Sequence, residues 1–249
     1  MRYQIRKNPV QLTLFGLVLS SFLFACHVLI SFNAQAQTLE QVDEITKAIK
    51  FDDIKTVKEL VPSKINPNTL SRNGDPLVVV AVKENSRKTL DYLVNLKDVD
   101  LDRPNMAGEN LLMMAAYNNY LTEVQYLVDK KAVNVNKSGW TPLHYACTNG
   151  HLKMAEFLID KGAKVDSLSP YGSTPLMMAV RSGNIDLVLL LLQRGADIRV
   201  RNERDYTAID VADMFNQTEI RDGLMARWKK LYKADYVSMV KPVAENKSP

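Results

Sequence analysis

An internal repeat is the sequence feature that most constrains how this chain can fold. The stretches 141–163 and 174–196 stay in phase over a whole unit: a Thr-Pro-Leu element opens each, at Thr141 and Thr174, and a Gly-Ala pair closes each. Weaker copies surround these two, so that units begin near residues 43, 75, 110, 141, 174 and 207. The successive offsets are 32, 35, 31, 33 and 33 residues. A period of this length predicts a chain built by stacking one small structural unit.

Within a unit, the apolar residues have helical spacing twice. In the unit that starts near 141, Leu143, Ala146 and Cys147 lie at positions i, i+3 and i+4, on one stripe of a short helix. Gly150 ends this helix, and the apolar positions of 152–159 predict a second one. Two short helices cannot bury their apolar faces alone, so the units must stack. We therefore predict an all-α solenoid over residues 37–233, with about six helix-turn-helix units, the outer ones degenerate.

The repeated residues resemble a known family. A Thr-Pro-Leu-His element at Thr141, an alanine, a Gly-His-Leu turn and a Leu-Ile-Asp-Lys-Gly-Ala ending, at a period of 33 residues, resemble the ankyrin repeat. The resemblance covers about residues 43–230 and is strongest in the fourth and fifth units. The second unit departs from it with Glu84-Asn85 in place of a glycine; the sixth has Asp210 in place of the histidine and lacks the Gly-His turn. Such departures are typical of capping repeats, whose outer faces meet water.

The first 36 residues have the three parts of a secretory signal peptide. Basic residues within 2–7 precede an uncharged apolar run over 12–32, and small residues up to Ala36 provide a cleavage site. We predict cleavage after Ala36. Two alternatives stay open: an uncleaved membrane anchor, since about 20 apolar residues can span a bilayer, and lipidation at Cys26. All three predict export, with the periplasm as the expected location.

The charge balance of the mature chain argues against nucleic acid as a partner. The sequence has 32 basic and 28 acidic residues, and three of the basic ones lie in the predicted signal peptide, which leaves 29 against 28. A net charge of about +1 gives no strong attraction for a phosphate backbone. Removal of Cys26 also leaves Cys147 as the one cysteine of the sequence, so no intramolecular disulfide is expected.

The chain ends in a basic segment. Residues 221–247 carry seven basic and three acidic residues, with aromatic residues interleaved. We favour a C-terminal capping helix that packs Trp228 and Leu231 on the last repeat and extends its lysines into water. The alternative is a weak contact with anionic lipid headgroups or an acidic partner. The residues for such a membrane-surface contact are Arg227, Lys229, Lys230 and Lys233. Residues 234–249 are predicted to form a flexible tail.

Reactive side chains are few. His144, Cys147 and His151 have a spacing that can be drawn as three metal ligands or as a Cys/His pair for nucleophilic catalysis. Both histidines, however, fall on positions of the ankyrin pattern, and Cys147 lies on an apolar helix stripe, where a thiol behaves as a small hydrophobe. No phosphate-binding glycine loop, Gly-x-Ser-x-Gly elbow or His-Glu-x-x-His motif occurs in the sequence. We expect no catalytic activity, no metal site and no cofactor.

The resemblance to ankyrin repeats also implies a binding face. Ankyrin proteins bind partners with their turn tips, with the residue before the Thr-Pro-Leu-His element and with the two positions after the alanine pair of the first helix. In this sequence those positions are Glu109, Tyr117, Asn118, Lys137, Ser138, Trp140, Thr148, Asn149, Tyr171, Ser173, Arg181, Ser182, Arg204 and Tyr206. Trp, Tyr and Arg dominate binding hot spots, so the aromatic members predict a partner surface. Alternatively, single aromatic residues pack between neighbouring turns.

The function expected from the sequence is that of an exported, non-catalytic module. It would hold a protein partner in the periplasm or cell envelope through the concave face around Trp140. Two alternatives stay open: an accessory or inhibitory subunit of an envelope enzyme, and a secreted effector that binds host proteins. The fold alone does not separate them, because ankyrin surfaces bind unrelated partners.

Overall fold

The computed structural model describes residues 37–240, in which all regular structure is helical apart from an isolated bridge between Leu70 and Pro76. The helices are α1 (Leu39–Lys50), α2 (Ile54–Leu60), α3 (Leu77–Lys83), α4 (Arg87–Val94), α5 (Leu111–Tyr117), α6 (Leu121–Asp129), α7 (Pro142–Thr148), α8 (Leu152–Asp160), α9 (Pro175–Ser182), α10 (Ile185–Gln193), α11 (Ala208–Met214) and α12 (Thr218–Tyr232). The all-α fold is confirmed. The predicted signal peptide, with Cys26, lies outside the described residues.

Capping side chains start the first helix of most units. At Thr141, Thr174 and Thr207 the side-chain oxygen accepts a hydrogen bond from a backbone N–H of the first turn. Asn110 does the same for α5. Each cap satisfies a donor that no helical carbonyl can reach. In α7 and α9 a proline follows the cap, at a position where its missing N–H removes no helical hydrogen bond.

A left-handed residue separates the two helices of each unit. The six residues at this turn have φ between +50° and +76°: Asp52, Asn85, Asn119, Gly150, Gly183 and Asn216. Asparagine and aspartate tolerate this conformation better than other residues with a side chain. The second and sixth units, whose turns depart from the glycine pattern in the sequence, therefore make the same turn with Asn85 and Asn216.

Stacked units share one core. The first helices α3, α5, α7, α9 and α11 contact one another in order, and from α3 onward each also packs on the second helix of its own unit. The buried side chains form one continuous cluster from Ile45 to Leu224. Leu143 and Leu176 lie at equivalent positions of neighbouring units, and both are fully buried. Burial of one such leucine stabilises the fold by about 1.5–3 kcal/mol, so the core between units holds the array together.

Helix α12 caps the last repeat. Ile220 and Leu224 are buried in the core, and Trp228 packs partly buried against it. The prediction that Leu231 packs on the repeat is wrong, because 52% of its surface is exposed. Helix α12 has 15 residues and α11, on which it packs, has 7, so the last turn of α12 extends past its partner.

The segment after α12 folds back onto the last repeat. The Asp210 carboxylate accepts hydrogen bonds from the Tyr236 hydroxyl, from the Ser238 hydroxyl at 2.9 Å and from the Met239 N–H at 2.9 Å. Residues 234–240 are thus bound to the repeat, where the sequence predicted the start of a flexible tail. The rest of that predicted tail, 241–249, lies outside the described residues. Within 37–240, no helix combines the length and the apolarity needed to cross a membrane.

Candidate functional site

Six of the predicted binding residues line one groove on the face made by the turn tips and first helices. They are Trp140, Tyr171, Ser173, Arg181, Arg204 and Tyr206. The groove has a volume of about 410 Å³ and extends over the fourth, fifth and sixth units. Positions taken from three separate repeats therefore meet at one surface.

The groove also contains residues that were not predicted from the sequence: Met178, Asn202, Glu203, Val211, Met214 and Phe215. Met214 and Phe215 occupy, in the sixth unit, the two positions after the alanine pair that were chosen in the third to fifth units. The same positional rule would have found them had it been extended into α11. Their side chains are 41% and 43% exposed, and apolar side chains exposed together on a concave surface typically mark a binding site.

Hydrogen bonds between neighbouring turns fix the rim of the groove. The Asn202 Oδ1 atom accepts from the backbone N–H groups of Arg204 and Tyr206, at 3.0 and 3.1 Å. The N–H that follows Asn202 donates to the Tyr171 carbonyl at 3.1 Å and so joins the fifth turn to the sixth. Gly172 has φ +72°, and a Cβ atom there would lie 3.2 Å from the Asn202 backbone. The close approach of the two turns therefore requires glycine.

Two arginines bring unpaired positive charge to the groove. The Arg181 guanidinium lies 5.2 Å from the centre of the Phe215 ring, a cation–π contact that leaves the N–H groups at its edge accessible. In the part of the chain that the structure describes, neither Arg181 nor Arg204 contacts a carboxylate. Six other arginines do: Arg72, Arg87, Arg194, Arg199, Arg201 and Arg221.

An aromatic cluster lies beside the groove on the third and fourth units. The Trp140 and Tyr145 ring centres are 6.1 Å apart, and Tyr145 and Tyr117 are also 6.1 Å apart, both pairs in edge-on geometry. Tyr145 was not predicted, although it lies one repeat before Met178 of the groove. Its hydroxyl donates to Glu109 Oε1 at 2.9 Å. Burial and the neighbouring Glu109 carboxylate raise the pKa of this hydroxyl above its usual value.

A polar network crosses the second and third units. The Lys83 ammonium contacts the Asp75 carboxylate at 2.8 Å and the Glu109 carboxylate at 3.8 Å. The Asn105 amide donates to both carboxylates, at 2.8 and 3.0 Å. Glu109, a predicted binding residue, is therefore held by its neighbours within the chain, and the charges on this part of the face compensate one another.

Two predicted binding residues join one repeat to the next. The Asn118 side-chain amide donates to the Val82 carbonyl of the preceding unit at 3.2 Å. The Asn149 amide donates in the same way to the Tyr117 carbonyl at 3.0 Å. These bonds use amide donors that a partner would otherwise find free. The role that the structure gives to Asn118 and Asn149 is to hold the stack together.

The remaining predicted residues differ in their surroundings. The hydroxyls of Thr148 and Ser182 donate to backbone carbonyls of their own helices, at 2.9 and 2.7 Å. Lys137 pairs with Asp102 at 2.7 Å across two neighbouring turns. Ser138 is exposed at a turn tip. Sequence position alone therefore selects both groove residues and residues that stabilise the repeats.

A known family profile matches the repeat region of the chain. The profile described as "Ankyrin repeats (3 copies)" matches residues 45–137, 79–169 and 112–202. The chain is an ankyrin-repeat protein. The resemblance stated from the sequence is thereby confirmed, and the repeats indicate a protein–protein interaction module.

Curated relatives match this ankyrin-repeat protein over parts of their length. An ankyrin repeat protein of Acanthamoeba polyphaga mimivirus is 30% identical over 118 residues, 46% of this chain and 11% of its own length. One of Fowlpox virus is 31% identical over 127 residues, 49% of this chain and 30% of its own. A glycerophosphocholine phosphodiesterase of Eremothecium gossypii is 32% identical over 122 residues, 47% of this chain and 9% of its own. Matches of this extent concern the repeats and not the whole relatives.

The solved structures that resemble this chain include one that matches over most of both chains. It is the complex of the predatory endopeptidase Bd0816 from Bdellovibrio bacteriovorus with the immunity protein Bd3460. The matching chain has a TM-score of 0.63 and 26% sequence identity, and the match covers 74% of this chain and 97% of that chain.

The histidines and the cysteine of this ankyrin-repeat protein have structural contacts. His144 is buried, and burial lowers the pKa of its ring to about 4, so the ring is neutral. The Ser173 carbonyl can only accept, so Nε2 of His144 donates to it at 3.0 Å, and Nδ1 contacts the Thr141 hydroxyl at 2.9 Å. Cys147 is fully buried, which raises the pKa of its thiol well above the usual range. Within residues 37–240, no cluster of three or more His, Cys, Asp or Glu side chains is arranged to hold a metal ion.

The basic residues of α12 differ in their availability. Lys229 pairs with Asp235 at 2.8 Å, and the side chains of both residues are largely exposed. Arg227, Lys230 and Lys233 are exposed. The membrane-surface contact proposed for these residues stays a prediction.

Proposed function

We propose that this ankyrin-repeat protein is a non-catalytic binding module, and that a polypeptide segment of its partner lies in the groove between Trp140 and Phe215. The observation that carries the proposal is the groove itself. It places the exposed side chains of Tyr171 and Phe215 beside Arg181, and tyrosine, phenylalanine and arginine are enriched at protein interfaces.

The proposed location is the periplasm or cell envelope. The basic start, apolar run and small-residue site of residues 1–36 support this proposal. An exported binding module would meet its partner outside the cytoplasm. The partner would then be an envelope or secreted protein.

A second candidate function is inhibition of an envelope enzyme, in particular an endopeptidase. The solved complex of an endopeptidase with an immunity protein favours it, because the match covers nearly the whole of one of its chains. In this proposal the groove holds the enzyme in an inactive or blocked state. This candidate differs from a general binding module in one measurable property: the bound enzyme loses activity.

Partner capture with matched variants tests the proposed function. The protein would be expressed with its complete sequence, so that any processing occurs as in the cell, and used as bait in a cell-envelope extract. The groove variant carries Tyr171→Ala and Phe215→Ala, two exposed side chains whose truncation spares the core. The control carries Leu189→Ala, which removes an exposed side chain of α10 that does not line the groove.

We expect one partner to be retained by the native bait and the control, and retention to fall more than tenfold with the groove variant. Circular dichroism must show equal helix content in all three proteins. Equal retention by native and groove-variant baits would place the binding face elsewhere and contradict the proposal. If the partner is a peptidase, its activity with and without a saturating amount of this protein decides between the two candidates.

A further inference from the structure

The unpaired arginines of the groove contrast with the other charges of the same face. In the second and third units Lys83 is compensated by Asp75 and Glu109, and Lys137 is compensated by Asp102. At the groove, the guanidinium groups of Arg181 and Arg204 have no carboxylate partner among residues 37–240. Positive charge is therefore available at one end of the face and neutralised at the other.

The geometry of Arg181 suits a carboxylate that comes from outside. The contact with the Phe215 ring restricts the guanidinium and leaves its edge free for two parallel hydrogen bonds to one carboxylate. Met178, Met214 and Phe215 line the groove beside Arg181, so an apolar surface lies next to the positive charge. Arg204 lies on the sixth turn tip, at the rim of the same groove.

One acidic residue, Glu203, also lines the groove and reduces its positive charge. Two arginines and one glutamate give the lining a formal charge of +1. An incoming carboxylate would be attracted by the arginines and repelled by Glu203. Removal of Glu203 should therefore strengthen the binding of an acidic segment and weaken the binding of a basic one.

We propose that the groove recognises an acidic segment of the partner polypeptide, with carboxylates on Arg181 and Arg204 and one bulky apolar side chain between Met178, Met214 and Phe215. The inference rests on the proposed function, since it assumes that the groove is the binding face. It adds the chemistry of the partner. The segment has a net negative charge, and it lies with its acidic part on the fifth and sixth units and its less charged part towards Trp140.

Photo-crosslinking identifies the bound segment directly. In the full-length protein, Met214 would be replaced by benzoylphenylalanine, which reacts with groups that enter the groove. A control protein would carry the same amino acid in place of Leu189, on α10. After irradiation in a cell-envelope extract, mass spectrometry gives the sequence of the crosslinked partner peptide. We expect crosslinks from position 214, to a peptide with a net negative charge and a large apolar residue.

The identified peptide is then synthesised in two forms, one of them with Asn and Gln in place of its Asp and Glu residues. We expect the amide form to bind at least about tenfold more weakly, because it loses charge-assisted hydrogen bonds. The double variant Arg181→Gln, Arg204→Gln should bind the acidic peptide more weakly to a similar extent, and it should bind the two peptide forms equally. Glu203→Gln should bind the acidic peptide more tightly. The control Lys153→Gln removes an exposed positive charge of α8 that does not line the groove, and it should change neither affinity.

The outcomes separate this inference from the proposed function. Crosslinks from position 214 to a neutral or basic peptide, or equal affinity of the two synthetic forms, would overturn the acidic-segment inference and leave the groove as the binding face. The absence of crosslinks from position 214 would contradict the proposed function, and the inference with it.

Discussion

At the scale of single residues, His144 links two neighbouring units. Its Nδ1 atom contacts the Thr141 side chain at the start of its own helix, and Nε2 donates to the Ser173 carbonyl of the next unit. The Thr141 backbone N–H also donates to Nδ1 at 3.2 Å, and this contact needs the neutral ring, because a protonated Nδ1 carries a hydrogen and cannot accept. The lowered pKa is therefore directly coupled to the stability of the stack.

Protonation of His144 predicts a specific loss of stability in acid. Burial lowers the pKa of the ring from 6.5 to about 4, so the unfolded chain binds the proton first as the pH falls. The stability that depends on the neutral ring is complete above about pH 6.5 and is lost between pH 6.5 and 4, on the order of 3 kcal/mol. Urea unfolding at pH 7 and pH 4.5 measures it. We expect His144→Gln to be less stable at pH 7 and to lose less stability on acidification.

The comparison between variants removes the contribution of the carboxylates, which titrate in the same range. His151→Gln is the matched control, since it removes the other histidine of residues 37–240 and should keep the full decrease. If the unfolding free energies of the native protein and His144→Gln ran parallel between pH 7 and 4.5, the coupling to His144 would be wrong.

Residue roles were predictable where position in the repeat determines them. Tyr171 and Arg204 lie on turn tips, and their place in the groove follows from the repeat register. Asn118 and Asn149 follow the same register, yet their amides bond to carbonyls of the preceding unit. That role depends on the distance between stacked helices, and this distance cannot be read from the sequence of a single repeat. The sequence therefore located the face that carries the groove, and it could not tell the groove residues from the residues that join neighbouring units.

At the scale of elements, the C-terminal cap explains a departure from the repeat pattern. Asp210 occupies the repeat position that His144 occupies in the fourth unit, but its hydrogen bonds run in the opposite direction. His144 donates to a carbonyl of the next unit, whereas Asp210 accepts from the N–H and hydroxyl groups of the segment after α12. Burial alone would raise the pKa of Asp210, but these hydrogen bonds outweigh it and hold the pKa below its usual value. The sequence showed the acidic residue. It did not show that the segment after α12 folds back onto that residue, because the segment has no apolar period.

Loss of the Asp210 contacts should release the C-terminal segment. Asp210→Asn places an N–H donor where several donors already converge, and we expect a loss of about 2 kcal/mol in the free energy of unfolding. Tyr236→Phe removes one donor and should cost about 1 kcal/mol. Urea unfolding measures both, and the rate of tryptic cleavage after Lys233 should rise in both. Asp222→Asn, a change at an exposed ion pair, is the control and should stay within about 0.5 kcal/mol of the native protein. Unchanged cleavage in Asp210→Asn would contradict the anchoring role.

At the scale of the whole repeat body, stability depends on contacts between neighbouring units. The first helices α5, α7 and α9 contact their neighbours most extensively, whereas α1, the first helix of the first unit, has far fewer contacts with α3. In an array whose units contact only their neighbours, the stability of each unit follows the strength of its interfaces. The central units should therefore open least often, and the first unit most often.

Hydrogen exchange followed by mass spectrometry tests this distribution. We expect the amides of α5, α7 and α9 to exchange slowest and those of α2 markedly faster. Two matched truncations then probe how far a defect spreads. Leu143→Ala, in a fully buried central position, should cost about 2–5 kcal/mol and speed exchange in the units on both sides. Leu60→Ala, at the end of α2, should speed exchange in the first two units and leave α9 unchanged. Equal acceleration of all helices by both variants would mean that the body opens as a single unit, and that the interfaces between repeats do not set its local stability.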